Sequence, residues 1–372
     1  MSAETRGSSV YEDIGVRLNE HGGYEIGGEY HLHDRPCHGL DPWPARRSFF
    51  ASGRAALYAL CRRWVETHSH ARLWLPDYFC SEVVVSLRSR KIPVASYTDD
   101  PQGAGPELSH LRVSPGDMVL AVNYFGVRSG DQWNAWREST PSVILIEDHT
   151  HDPQSLWARS STADFVFASL RKTLPLPDGA IAWSPRELSL PEAAPGGPPI
   201  GSSLKLAAML YKRRYLDSGE TLPSLKKTFL ELQKRGEQIL PEPNNEAISA
   251  WSLDFVCRGT PSLWRSRRER NVRSLLMRAL SVPGGKPLFT SWPAGHCPFN
   301  AVYVFDDERA REITRRRLIS AQVYTPVHWP LRHGGEASLD LSRRILTIPL
   351  DFRCGEPQIA RIASILTESQ SA

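Results

Sequence analysis

The sequence predicts an α/β protein, with a three-layer large domain on a mainly parallel sheet and a small α+β domain after it. Three observations carry that expectation. Short apolar runs alternate with amphipathic helical stretches from Phe49 to Trp183, the rhythm of a parallel sheet with crossover helices. The run Ser142 to Ile146, ending at Glu147-Asp148, has the apolar character of a strand buried on both faces. The pattern then changes to long helices followed by a short strand–helix–strand–helix sequence, and 372 residues suit one large and one smaller domain.

The elements follow in order. Residues 1–46 read as an N-terminal arm, because the stretch Gly22 to Pro44 is rich in Gly, His and Pro and shows no periodicity. Residues 47–245 form the large domain. Its first helix begins at Ser52, a good N-cap, and runs to about Thr67. A strand over Arg72 to Leu75, a helix over Ser81 to Ser89 and a strand over Pro93 to Tyr97 come next. Met118 to Asn123 reads as a strand, Gly130 to Arg137 as a short helix, and Asp164 to Ala168 and Ala180 to Trp183 as further strands. Pro191 to Pro199 is a loop by composition, and Pro241 to Asn245 breaks the pattern. Ser203 to Leu216 and Leu225 to Ile239 are helical between them. Residues 246–372 form the small domain, with helices over Ala247 to Val256 and Ser262 to Leu280. A strand at Ala301 to Phe305, a helix at Asp307 to Ile319, a strand at Ile345 to Ile348 and a final helix at Glu356 to Leu366 complete it.

Composition excludes several function classes. The net charge of +4 is small beside 45 basic and 41 acidic residues, so neither nucleic acid nor a membrane surface is an expected partner. The basic runs Arg265 to Arg270 and Arg315 to Arg317 read as solvated helix faces. The six cysteines form no C-x-x-C pair, which suits reduced thiols in the cytoplasm. His31, His33 and His38 lie near Cys37, but in the loose arm, and no metal site is expected from them. The N-terminus Met1 to Gly7 has no apolar signal core, and no stretch reaches transmembrane length.

Four features are suited to chemistry. Ser52-Gly53-Arg54 opens a helix, where free N–H groups and the positive dipole end favour a phosphate; Gly53 permits close backbone approach and Arg54 adds a bidentate donor. A serine-capped helix carrying a glycine is also a common structural feature. Asp148 ends a buried strand, the place where ligands sit in open α/β sheets, and His151 follows within reach of the same ligand. A surface Glu-Asp turn is the plainer reading. Ser169 and Lys172 follow the next strand, where a hydroxyl holding phosphate and an amine forming a Schiff base would serve one ligand. An ordinary exposed lysine is the alternative. Tyr78, Phe79, Tyr124 and Phe125 crowd strand ends, and one of them is suited to stack on a flat heteroaromatic ring.

The order of these motifs resembles fold-type I pyridoxal-phosphate (PLP) enzymes, and is most similar to sugar aminotransferases of the DegT/StrS type. The resemblance runs from Ser52 to the C-terminus. It rests on a Ser-Gly-X-Ala-Ala-Leu helix start, Pro76-Asp77-Tyr78-Phe79-Cys80, a strand ending Phe125-Gly126, Ile146-Glu147-Asp148 with His151, and Ser169-Leu170-Arg171-Lys172. Val323 to Leu331 is similar to the family's small-domain substrate loop, and Leu346 to Leu350 to its late Ser-Leu-Pro segment. The resemblance implies that Lys172 carries PLP, that Asp148 pairs with the pyridine nitrogen and that His151 lies near the ring hydroxyl. It also implies a phosphate site at Gly53, Arg54 and Ser169, ring contacts from Phe79 or Tyr124, and substrate contacts from His328 and Trp329. Arg54 stands where the family usually has Thr, the Ser-to-Lys spacing is short, and a Gly-X-Asn-X-Arg-Met segment is absent, with Asn244-Asn245 roughly in its place.

The implied function is transamination from an amino acid donor to a keto-sugar or other carbonyl intermediate of a biosynthetic pathway, in a homodimer. A lyase, dehydratase or condensing enzyme on the same scaffold, and a non-catalytic metabolite-binding protein of this fold, are the competing readings.

Overall fold

The computed structural model describes residues 25–34, 41–103, 105–194, 200–240 and 246–368. Cys37, His38, the segment Met1 to Gly7, the breaker Pro241 to Asn245 and the end of the Pro191 to Pro199 loop lie outside the described residues.

The chain opens with β1 (Ile26–Gly27) and β2 (Arg47–Phe50), then α1 (Gly53–Thr67), β3 (Leu73–Pro76), α2 (Ser81–Ser89) and β4 (Val94–Tyr97). Next come β5 (Met118–Val122), α3 (Asp131–Ser139), β6 (Ile144–Asp148), α4 (Leu156–Arg159), β7 (Phe165–Ser169) and β8 (Ala180–Trp183). Four helices follow: α5 (Ile200–Asp217), α6 (Pro223–Ile239), α7 (Ala250–Cys257) and α8 (Ser262–Arg278). The remainder is β9 (Gly285–Pro287), β10 (Ala301–Phe305), α9 (Glu308–Ser320), β11 (Val323–Tyr324), α10 (Glu336–Arg344), β12 (Ile345–Ile348) and α11 (Glu356–Thr367).

The large sheet has seven strands in the order β2-β8-β7-β6-β5-β3-β4. β4, β3, β5, β6 and β7 are parallel, and β8 runs antiparallel to both β7 and β2. The sheet is therefore mainly parallel, as the strand–helix alternation predicts. β6 is buried at every position. Its Ile144 and Ile146 pack on one side with α1 and α2, while Leu145 packs on the other with Trp133, Trp157, Phe255 and Trp264. A strand between two helical layers needs no polar face, which is why its sequence is a continuous apolar run.

The small domain has a three-stranded antiparallel sheet, β12-β10-β9, covered by α8, α9 and α11 through Val272, Leu275, Leu318, Ile359 and Ile362. α7 lies within the stretch expected to be small domain, yet its Phe255 and Val256 pack against the back of the large sheet.

The structure departs from the sequence reading in three further places. Residues 25–34 are not a loose arm: β1 pairs parallel with β11, and Ile26 enters the small-domain core. Tyr30 stacks on Phe352 at 5.8 Å, and His33 is buried against Trp264 and Phe352. The basic run on α8 is not wholly solvated either. Arg265 and Arg268 turn inward because the fully buried Asp152 supplies their counter-charge. Finally, α10 carries no apolar stripe to announce it, since two of its three buried residues are serines, Ser338 and Ser342. Among the described residues, no helix is long and apolar enough to cross a membrane.

Candidate active site

The C-terminal ends of β6 and β7 lie side by side, with Asp148 opposite Phe167 in the register. Asp148 is buried, and Thr150 holds it: the Thr150 amide donates to Oδ1 at 2.8 Å, a local turn that an Asp makes with the residue two further on. Thr150 Oγ1 in turn accepts the Ser169 amide at 3.0 Å, which joins the two strand ends. Burial pushes the Asp148 carboxyl above the ordinary aspartate value, against the hydrogen bonds from Thr150. No lysine or arginine pairs with it among the described residues. A buried carboxylate without a cation is unfavourable unless a positive group arrives from elsewhere.

His151 is set by its neighbours. The Phe125 amide donates to Nδ1 at 2.9 Å, so Nδ1 is an acceptor. Burial holds the imidazole well below its usual pKa, with His328 and Lys172 adding to the effect, so the ring is neutral. A neutral ring whose Nδ1 accepts must carry its proton on Nε2. His151 thus presents an N–H donor, and Nε2 takes no partner among the described residues. The rings of Phe125, Phe299 and Trp329 lie nearly parallel to it at 5.4, 4.7 and 5.7 Å.

Lys172 occupies a short 3-10 turn after β7. Its side chain is accessible, yet the surrounding protein desolvates the amine and lowers its pKa. Arg171 and Lys205 add to that push, while Glu29 and Glu237 oppose it. The amine has no hydrogen-bond partner among the described residues, and its charge acts on both His151 and His328. Burial, with Lys172 second, pushes His328 down to about 3.

Beside Lys172 lies a dense charge cluster. Glu237 from α6 accepts two bonds from Arg171, at 3.2 and 2.8 Å, and one from Lys205 at 2.6 Å. Arg54 stands 4.0 Å from the same carboxylate. Against the pull of burial, Arg171 and Lys205 hold Glu237 well below the usual glutamate range. Arg54, Arg171 and Lys205 converge on Glu237 at the start of α1, and the buried Glu29 is a second carboxylate within the cluster. Ser52 caps that helix by accepting the Ala55 amide at 3.1 Å, which leaves the Gly53 and Arg54 amides as free first-turn donors. Gly53 lies against β7: a Cβ there would stand 3.1 Å from the Cβ of Ser169. The anion-binding elements and the strand end are thus in contact.

The remaining expected residues surround the same place. Trp329 lies within 6.5 Å, ring to ring, of Tyr78, Phe79 and Tyr124. The Tyr124 ring is fully enclosed, and its hydroxyl donates to the Tyr78 carbonyl at 2.7 Å, so it keeps no face for a ligand. Phe79 retains a small accessible face. His328 Nδ1 is 3.1 Å from Thr347 Oγ1, and the Tyr78 hydroxyl donates to the His328 carbonyl.

Sequence reasoning missed several residues that shape the site. Thr150 carries a readable signal, the Asp-X-Thr turn. Arg171 stands next to Lys172. Lys205 falls in line with Gly201, Ala208 and Lys212 on the buried face of α5, where a lysine asks for a partner. Glu29, Glu237 and Phe299 have no local signal.

These features fit PLP: an unpartnered amine, a buried carboxylate awaiting a cation, a fixed N–H donor and a positively charged helix start. No family model and no curated protein matches the sequence. Solved structures do match. The aminotransferase TlmJ from Streptoalloteichus hindustanus is 15% identical, with 86% of this chain and 84% of that chain covered and a TM-score of 0.56. The sugar aminotransferase CalS13 from Micromonospora echinospora is 12% identical, with 86% of each chain covered and a TM-score of 0.54. The PLP form of a candidate sugar aminotransferase from Streptococcus pneumoniae is 12% identical, with 88% of each chain covered and a TM-score of 0.59. The chain therefore has the fold of the sugar aminotransferases, the fold-type I architecture of PLP enzymes.

Proposed function

We propose that the protein is a PLP-dependent aminotransferase that moves an amino group from an amino acid donor to a keto-sugar or related carbonyl compound. One observation carries the reading. The unpartnered Lys172 amine and the uncompensated Asp148 carboxylate stand at the ends of adjacent parallel strands, beside a cationic helix start. The fold shared with sugar aminotransferases supports it.

When bound, PLP supplies an electron-withdrawing ring that makes the proton on the donor's Cα labile. Lys172 would hold PLP through its amine and, in its neutral form, would serve as the base that takes the proton from the donor's Cα. A lowered pKa keeps more of that amine in the neutral, basic form. Asp148 would hold the pyridine nitrogen in its protonated form, because an adjacent opposite charge favours the charged form. His151 would offer its Nε2–H to the ring oxygen. The amides of Gly53 and Arg54, the Arg54 guanidinium and the Ser169 hydroxyl hold the phosphate. Phe79 flanks the ring, and His328 and Trp329 line the substrate side. A homodimer in the cytoplasm belongs to the same proposal.

Purified protein mixed with PLP should turn yellow, with a visible band that borohydride bleaches and Lys172→Ala removes. Glutamate should then shift the band and release its keto acid. A wild-type protein that takes up no PLP would overturn the reading. A yellow protein that reacts with no amino donor would point to a lyase or a binding protein instead.

A further inference from the structure

Asp152 accepts three hydrogen bonds beside the site, and no step above employs it. It is fully buried. Arg265 of α8 donates to both its oxygens, at 2.9 and 2.7 Å, and the Cys297 amide donates to Oδ2 at 2.8 Å. Arg268 lies 3.7 Å away. All three groups belong to the part of the chain beyond residue 260, whereas Asp152 follows β6 in the large domain.

The segment that Asp152 anchors leads back to His151. Two residues past Cys297, the Phe299 amide donates to the Phe125 carbonyl at 2.7 Å. The Phe125 amide donates to His151 Nδ1 at 2.9 Å. The Phe299 ring lies nearly parallel to the His151 ring, 4.7 Å from it. The turn is held flush on the anchor. Gly126 has a φ of +76°, and a Cβ there would fall 2.5 Å from the Cys297 carbonyl oxygen and 2.8 Å from the Cβ of Asp152. Phe125 itself has a φ of 54°, a conformation that a bulky residue adopts only when its surroundings enforce it. Asp152, Cys297, Phe299, Phe125 and His151 thus form a closed circuit of contacts, and the amide that fixes the His151 tautomer is part of it.

We propose that Asp152 is a positioning residue: by anchoring the 297–299 segment across the domain seam, it holds the Phe125 amide on His151 Nδ1 and so keeps the Nε2–H donor aimed into the site. The role of that donor rests on the PLP reading above; the circuit itself rests on geometry alone.

The test has two arms. In the cofactor-free protein, amide exchange at Phe125 reads the lock directly. Asp152→Ala should speed it at least tenfold while exchange in β5 and β6 stays within twofold. Arg265→Gln, which leaves the carboxylate in place, should give a smaller rise of about threefold and serves if Asp152→Ala does not fold. With PLP bound, the pH at which the visible band titrates should move upward in Asp152→Ala, because a ring oxygen that loses its donor becomes more basic. His151→Phe should cause the same movement, and the double variant should move no further than His151→Phe alone. Unchanged Phe125 exchange in the folded variants overturns the proposal, as does an additive double variant. If the wild type takes up no PLP, the functional reading fails and the exchange arm still decides this one.

Discussion

The two strand ends that meet at the site are built in opposite ways. At the end of β6, each functional side chain is held by a protein partner: Thr150 holds Asp148, Phe125 holds His151, and Arg265 and Cys297 hold Asp152. At the end of β7, the Lys172 amine has none among the described residues, and the cations beside it outnumber the carboxylate they share. The first wall is held by protein hydrogen bonds; the second is charged and leaves its amine unpaired among the described residues. Groups that only orient a ligand gain from being fixed in advance, because no reorganisation is then needed during reaction. A group that must bond, release and carry a proton needs freedom at its tip. The division of labour follows from which atoms the fold leaves unsatisfied.

The sharpest way to break this comparison is to remove the charge from the first wall. Asp148→Asn keeps the shape and the Thr150 turn but cannot hold a pyridine nitrogen protonated. Turnover should fall by at least about a hundredfold, the lower end of what a group acting directly on proton transfer contributes, while PLP still binds. Steady-state kinetics with a glutamate donor checks this. A variant within threefold of wild type would remove Asp148 from its place.

The charged side is tested by discrimination. Arg54→Met removes a donor that stands 4.0 Å from Glu237 and makes no closer ion pair among the described residues. It should weaken capture of PLP by about tenfold, roughly 1.4 kcal/mol, and leave capture of pyridoxal, which lacks the phosphate, almost unchanged. Equal losses for both would show that Arg54 supports the fold rather than the phosphate.

The difference between the walls also explains what the sequence discloses. Lys172, Asp148 and Gly53 are legible because their positions are local: each sits at a strand end or helix start that hydrophobic periodicity locates. β8, β10, β12 and α2 run between the residues the pattern predicts, for the same reason. The charge cluster is not legible, because Lys205 meets Glu237 only through the pairing of α5 with α6. Phe299 reaches His151 only through the contact between domains. The packed strap at residues 25–34 was hidden too, since a two-residue strand such as β1 has no periodicity to read. Ring stacking by Tyr124 looked equal to that by Phe79 in sequence, and only tertiary packing encloses the one and leaves the other a free face.

The smallest expected effect runs against intuition. Burial raises the Asp148 pKa in the folded protein above the ordinary value of 3.8. Between the unfolded and folded values, the native state binds more protons than the unfolded chain. Stability contributed by this group is therefore greatest at low pH and declines as pH rises from about 4 through the folded value. At neutral pH the charged carboxylate is a net cost to the cofactor-free protein. Asp148→Asn removes that cost while keeping an acceptor for the Thr150 amide. Without PLP, the variant should unfold at a slightly higher temperature than wild type at pH 7, and the gain should vanish near pH 4. With PLP bound, the order should reverse, because only the carboxylate gains a cationic partner. Thermal unfolding of both proteins at two pH values, with and without PLP, measures all four terms. A wild type that is the more stable without the cofactor at pH 7 would mean that some group of the protein already pairs with Asp148, and the first wall would then be complete without a ligand.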